Sequence, residues 1–250
     1  MKKTFLTILT VIAMVSMVAA CKKTPNPNDK PNDNPNDEPA EVVTIDGNFA
    51  DWAALKDVAS AEPGEDAAYP GLLLMKAVAD ETNIYVYFEY ELQDLGDMGI
   101  QAAAPFEIFV NSDNNALTGG ASWLWSEVGY EYMLESESGF LASATAVRDM
   151  GEDIGLYLFD GVDGVEAWGE GGHLTQQEVT AFCESAGTVK NNIATVEVSF
   201  LRSVVNATKK GTVAIGIVTY DLSDPNWHTS GVLPLGVSAG EVGLLEVTLP

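Results

Sequence analysis

Cysteine, histidine and positive charge are scarce in this chain. Its 250 residues include two Cys, two His and 12 Lys or Arg, set against 37 Asp or Glu, for a formal net charge of −25. Cys21 ends an N-terminal apolar leader, so Cys183 is the one thiol left to the folded part and no intrachain disulfide is available. His173 and His228 show no ligand spacing of the kind zinc sites use. So acidic a surface repels phosphate backbones and anionic headgroups, which excludes nucleic-acid binding; it tolerates neutral ligands and attracts cations. No apolar run is long enough to span a bilayer. Phe5 to Ala20 falls short of the roughly 20 residues a crossing helix needs.

What is present begins with that leader. Lys2 and Lys3 precede the apolar stretch, and small residues end it, as in a signal peptide over residues 1–20. Val18-Ala19-Ala20-Cys21 resembles the lipobox of bacterial lipoproteins, which implies lipid on the Cys21 thiol and an anchored protein at the outer membrane of a Gram-negative cell. Residues 21–40 hold the Cys and the tract KKTPNPNDKPNDNPNDEPA. Pro there lacks a donor, Asn and Asp favour turns, and nothing apolar can be buried. The tract reads as a semi-extended spacer. Residues 41–250 then suit one domain.

Within that domain the hydrophobic period is two. Ile84, Val86, Phe88 and Tyr90 alternate, as do Phe106, Ile108 and Val110, then Tyr130, Tyr132 and Leu134. Val196, Val198 and Phe200 repeat the pattern, followed by Val213, Ile215 and Ile217, and by Leu245, Val247 and Leu249. Alternation puts one face of each strand in a core. Asp80 to Asn83 and Lys190 to Asn192 predict hairpin turns. The fold class is therefore all-β, an antiparallel β-sandwich with few short helices. Residues 175–186 admit two readings. Thr175 to Glu178 has capping-box spacing, and Val179, Phe182, Cys183 and Ala186 would share one helical face, with Gly187 ending the helix. The alternative makes VTAFCES a strand; the local signals tilt slightly to helix. In either case Cys183 is a small hydrophobe.

The order TIDGNFADW, MKAVADETNIYVYFEYEL, PFEIFVNSDNNALTGG, ATVEVSFLRSV and TVAIGIVTYDLSDPNW resembles the family 9 carbohydrate-binding modules and their relatives, over about residues 42–249. The resemblance implies a jelly-roll or immunoglobulin-like sandwich, a short helix after Val196-Glu197-Val198, and sugar held between two Trp rings. It implies no catalysis. Asp46-Gly47 reads as a tight turn, and Phe49 and Trp52 as an apolar plug closing one end of the sandwich. Trp227 matches the place of one sugar-stacking Trp. The place of the other, before PFEIFV, holds GDMGIQAAAP with no aromatic, so Trp123 and Trp125, or Trp168, are the candidates to replace it. A sugar's C–H face stacks on such rings while its hydroxyls bond to polar groups.

Three further clusters bear on chemistry. Asn111, Asp113 and Asn115 stand at alternate positions, as in calcium loops, and the resemblance keeps a calcium site at Asp113 and Asn115 open; no other cofactor is implied. The loop is not an EF-hand, because Asn111, Ala116 and Ser122 occupy the places that need Asp, Gly and Glu. Glu131, Glu135 and Glu137 share a strand parity and read as a solvated edge rather than a hydrolytic pair. Met98 and His228 could converge as axial ligands of a haem, as in some relatives. The sequence thus favours a lipid-anchored carbohydrate-binding domain whose partner is a glycan. The alternatives are a scaffold domain of a cell-surface protein complex with no sugar site, and a haem-binding electron carrier.

Overall fold

The computed structural model describes residues 43–56, 58–94, 101–102, 105–125, 128–136, 154–221, 228–235 and 243–250, with backbone alone for 93–94 and 101–102. Cys21, Met98, Glu137 and Trp227 lie outside these residues, as do the leader and the spacer. One helix is described, α1 (Ala50–Ala54). The strands are β1 (Ala59–Ala61), β2 (Leu72–Ala79), β3 (Asn83–Glu91), β4 (Gln93–Asp94), β5 (Gln101–Ala102), β6 (Phe106–Asn111) and β7 (Tyr132–Ser136). They continue with β8 (Ile154–Phe159), β9 (Leu174–Gln176), β10 (Cys183–Lys190), β11 (Ile193–Leu201), β12 (Gly211–Tyr220), β13 (Thr229–Leu233) and β14 (Leu245–Leu249).

The alternating runs become two antiparallel sheets. One has five strands in the order β1-β2-β3-β11-β10. The other has seven, in the order β13-β12-β6-β7-β8-β9, with β14 also on β12. β14 pairs with the first half of β12 and β13 with the second, so the two share one edge of it, while β6 takes the other edge. Ile84, Val86, Phe88 and Tyr90 from β3 meet Ile108, Val110, Ile215 and Ile217 from the second sheet in one buried core. This is the sandwich that the period of two predicts. Both expected hairpins form. Asp80 Oδ1 accepts from the amides of Thr82 and Asn83, and Asn191 and Asn192 take the left-handed φ of 52° and 67° that a two-residue turn between β10 and β11 requires.

The Ile-Asp-Gly motif has a different task from the expected one. Gly47 has φ 76°, which only glycine adopts freely, and the turn aims the amides of Asp46 and Gly47 at Glu197 Oε1, at 2.9 and 2.7 Å. The Trp52 indole N–H donates to Glu197 Oε2 at 3.0 Å. Trp52 and Phe49 pack on Tyr87, which points to the side of β3 opposite Val86 and Phe88. The plug therefore covers the outer face of the five-stranded sheet rather than closing an end of the sandwich. Glu197, outward by alternation, is fully buried beneath it. Burial raises its carboxyl above the ordinary range, although the two amides and the indole favour the charged form.

Two local expectations change. Residues 175–186 hold no helix: Leu174–Gln176 ends the seven-stranded sheet as β9, and Cys183 begins β10, the outer strand of the five-stranded sheet. Pairing along β11 from Cys183↔Phe200 to Lys190↔Ile193 outweighs a capping signal, and Ala181 at φ 54° interrupts any helical run. Val179 is exposed, Phe182 is buried, and Cys183 packs half-buried against the main core. After β11, turns occupy Arg202 to Asn206 where the resemblance implies a short helix. The buried Arg202 guanidinium fastens this stretch by donating to the carbonyls of Ala207, Asp80 and Lys209.

Candidate functional site

The functional side chains gather on the outer face of the seven-stranded sheet. β6 alternates, so Phe106, Ile108 and Val110 enter the main core while Glu107 and Phe109 point the other way. The loop segments 112–125, 128–131 and 160–173 fold over that outer face and build a second apolar cluster. Its rings meet edge to face: Phe109 on Trp125 at 5.5 Å, Phe109 on Tyr130 at 4.8 Å, and Tyr130 on Phe159 at 5.8 Å between centroids.

This cluster decides between the two candidate rings of the SWLWS loop. Trp125 is 2% exposed and donates its indole N–H to Pro234 O at 3.0 Å. It lies across β12 at Gly216, where a Cβ would come within 2.7 Å of the Trp125 ring. Trp125 is thus a core residue, which corrects the sugar-stacking role expected for it. Trp123 faces outward. It is 54% exposed and held edge-on by Tyr69 at 5.9 Å. Trp168, from the second loop, is 73% exposed.

Trp123 and Trp168 line one cleft of about 640 Å³, with Tyr69, Glu107, Tyr220 and His228 among the other walls. A smaller recess of about 200 Å³ opens beside it, sharing Glu107, Trp123, Trp168 and Tyr220 and adding Glu166. Trp227 lies outside the described residues, but its neighbour His228 is a wall of the cleft. The structure therefore brings Trp123, Trp168 and His228 together, and removes Trp125 from the set.

Glu107 is the residue that sequence reasoning missed. Alternation marks it as an outward polar position on β6, yet it is only 5% exposed because the loops roof that face. The Tyr220 hydroxyl donates to its Oε2 at 2.5 Å. Burial pushes its carboxyl up to about 7; the charge of Glu135, its partner across β6 and β7, adds to the rise and the Tyr220 hydrogen bond opposes it. Tyr220 is raised as well, by burial and by the charge of Glu107. The one usable signal in the sequence was a carboxylate set between Phe106 and Ile108, where Thr would suit an exposed strand face better.

The NSDNNALTGG loop is a self-bonded turn. Asn111 Oδ1 and Asp113 Oδ1 both accept from the Asn115 amide, and Asn115 Oδ1 accepts from the Leu117 amide. Thr118 Oγ1 donates toward Asp113 Oδ2 at 3.0 Å and Glu131 Oε1 at 3.4 Å, so two carboxylates converge on one hydroxyl. Such oxygens suit calcium in kind, though here they are turned onto the loop's own donors. Among the described residues no group of three or more His, Cys, Asp and Glu side chains is placed to hold a metal ion. Glu131 and Glu135 are not on an edge: β7 is flanked by β6 and β8, and both side chains are half-buried. Glu131 Oε2 accepts from the Ser112 amide and hydroxyl and so anchors the loop to the sheet.

No family model matches the chain, and no curated protein does. Solved structures similar to it include two family 9 modules. One is a family 9 carbohydrate-binding module from Caldicellulosiruptor kristjanssonii in complex with cellotriose, with 11% identity and a TM-score of 0.40, covering 83% of this chain and 89% of that one. The other is a family 9 module from the same organism in complex with glucose, with 12% identity and a TM-score of 0.42, covering 84% and 92%.

Proposed function

We propose that residues 41–250 form a non-catalytic carbohydrate-binding module, carried at the outer membrane by lipid on Cys21. One observation carries the reading: Trp123 and Trp168 are large, exposed rings from different loops, and they wall a single cleft that Glu107, Tyr220 and Thr229 also line. Exposed indoles over a concave site suit the C–H faces of a sugar, and Glu107, Tyr220 and Thr229 supply partners for its hydroxyls. Each stacked ring is worth on the order of 1 kcal/mol, taking aromatic pairs as the guide. Trp227, next to His228 in sequence, remains a candidate sugar-stacking residue. No hydrolytic step is assigned: Glu107 Oε2 accepts from the Tyr220 hydroxyl, and the role given to this carboxyl is to bind.

A glycan array probed with the purified protein tests the reading. Binding to a defined set of glycans supports it; no hit across the array contradicts it and favours a scaffold domain of a surface complex. Lipid anchoring has its own test. Cys21→Ala should leave an unprocessed or soluble form, whereas normal processing and partitioning into detergent would refute the anchor. Stable anchoring takes more than one acyl chain or a second signal, and bacterial lipoproteins carry several chains.

A further inference from the structure

We propose that this cleft selects amino sugars with a free amine, whose ammonium group enters the recess between Glu107 and Glu166. The inference rests on the carbohydrate reading above and narrows its substrate class. Its basis is the lining of the recess. Two acidic residues line it, the buried Glu107 from β6 and the exposed Glu166 from the loop after β8, and no Lys or Arg stands among its described walls. The remaining walls are largely aromatic, with Trp123, Trp168, Tyr130 and Tyr220 around the two acids. Aromatic faces attract cations through their quadrupoles, and most strongly where water is excluded. A carboxylate buried among rings is costly unless it is paired, and Glu107 has only a neutral hydroxyl from Tyr220 as its described partner there. An ammonium would supply the missing charge through a charge-assisted hydrogen bond. The burial that pushes the Glu107 carboxyl up to about 7 is the same cost seen from the proton's side. The net charge of −25 draws cations toward the surface and disfavours uronic or sulfated sugars.

A volume of about 200 Å³ gives an amine-bearing carbon ample room. The pyranose ring would then lie in the larger cleft against Trp123 and Trp168. A neutral hydroxyl in the same place could accept or donate a hydrogen bond but would bring no counter-charge to the buried Glu107. An N-acetyl group would bring neither charge nor the small size of an ammonium.

Calorimetry near neutral pH, on the purified protein, should use glucose, glucosamine, N-acetylglucosamine and the corresponding oligomers. The free amine should bind about tenfold more tightly than glucose of equal length. Glu107→Gln keeps the shape and a partner for Tyr220, and within that variant glucosamine and glucose should bind with equal affinity. Glu166→Gln, in an exposed loop, should reduce the preference about twofold and serves if the first variant does not fold. Equal affinity for glucose and glucosamine, or a preference for the N-acetyl form, overturns the amino-sugar inference and leaves the carbohydrate reading standing. Failure of every sugar to bind overturns both.

Discussion

Glu107→Gln should make folding stability less dependent on pH, and the size of the effect follows from the site. In the folded chain the carboxyl is raised from 4.5 to about 7, chiefly by burial under the loops. Between those values the folded state holds a proton that the unfolded chain has released. Stability therefore falls as pH rises through this window: the contribution is fully present below about 4.5 and is lost above about 7. At 1.36 kcal/mol per pH unit, it amounts to roughly 3 kcal/mol. Gln cannot ionise, keeps a carbonyl for Tyr220 and adds no volume. Glu131 and Glu197 are displaced in the same direction, and Asp80 and Asp160 in the opposite one, but these groups are common to both proteins and cancel in the difference. The assay is urea unfolding of both proteins from mildly acidic to mildly alkaline pH, reading midpoint and slope. The variant should gain on wild type as pH rises, by up to about 3 kcal/mol, with unchanged slope. Parallel stability curves would refute the claim that the Glu107 carboxyl is buried and unpaired by charge.

Three other outcomes follow from the packing. Trp125→Ala should cost about 3–5 kcal/mol in chemical denaturation, since it empties the space over Gly216 and orphans Pro234 O, whereas Trp123→Ala should change stability by less than about 0.5 kcal/mol. Glu197→Ala should cost about 3 kcal/mol or more, because the Asp46 and Gly47 amides and the Trp52 indole lose their acceptor together; a loss under about 1 kcal/mol would refute that anchoring role. The self-bonded NSDNNALTGG loop should leave the melting temperature indifferent to calcium and chelator, with magnesium as the ionic control. A calcium-dependent gain, about 2.7 kcal/mol at 100 times the dissociation constant and abolished by Asp113→Ala, would instead establish a calcium site there.

The sandwich was legible because both of its faces are written in a period of two. β3, β6, β11 and β12 carry core residues at alternate positions, and the two hairpins carry Asp and Asn where the turns need them. What lies on the second face of each sheet was not legible. Glu107 and Glu197 look like ordinary outward positions, and only the loops and α1 that roof them make them buried. The same blindness applies to Trp123 and Trp125, which are two residues apart with one ring in water and the other in a core. Parity cannot sort residues in a loop. Residues 175–186 misled for a related reason. Their capping signal is local, whereas the demand of β11 for a partner strand comes from the sheet.

The most direct test of the central claim is calorimetry with a glycan from the array, comparing wild type with Trp123→Ala and Trp168→Ala. Both rings are exposed, so both variants should melt as wild type does. Each should weaken binding by roughly 5- to 30-fold, the equivalent of about 1–2 kcal/mol per lost ring. Unchanged affinity in both variants, with the fold intact, would contradict a sugar site between these two rings.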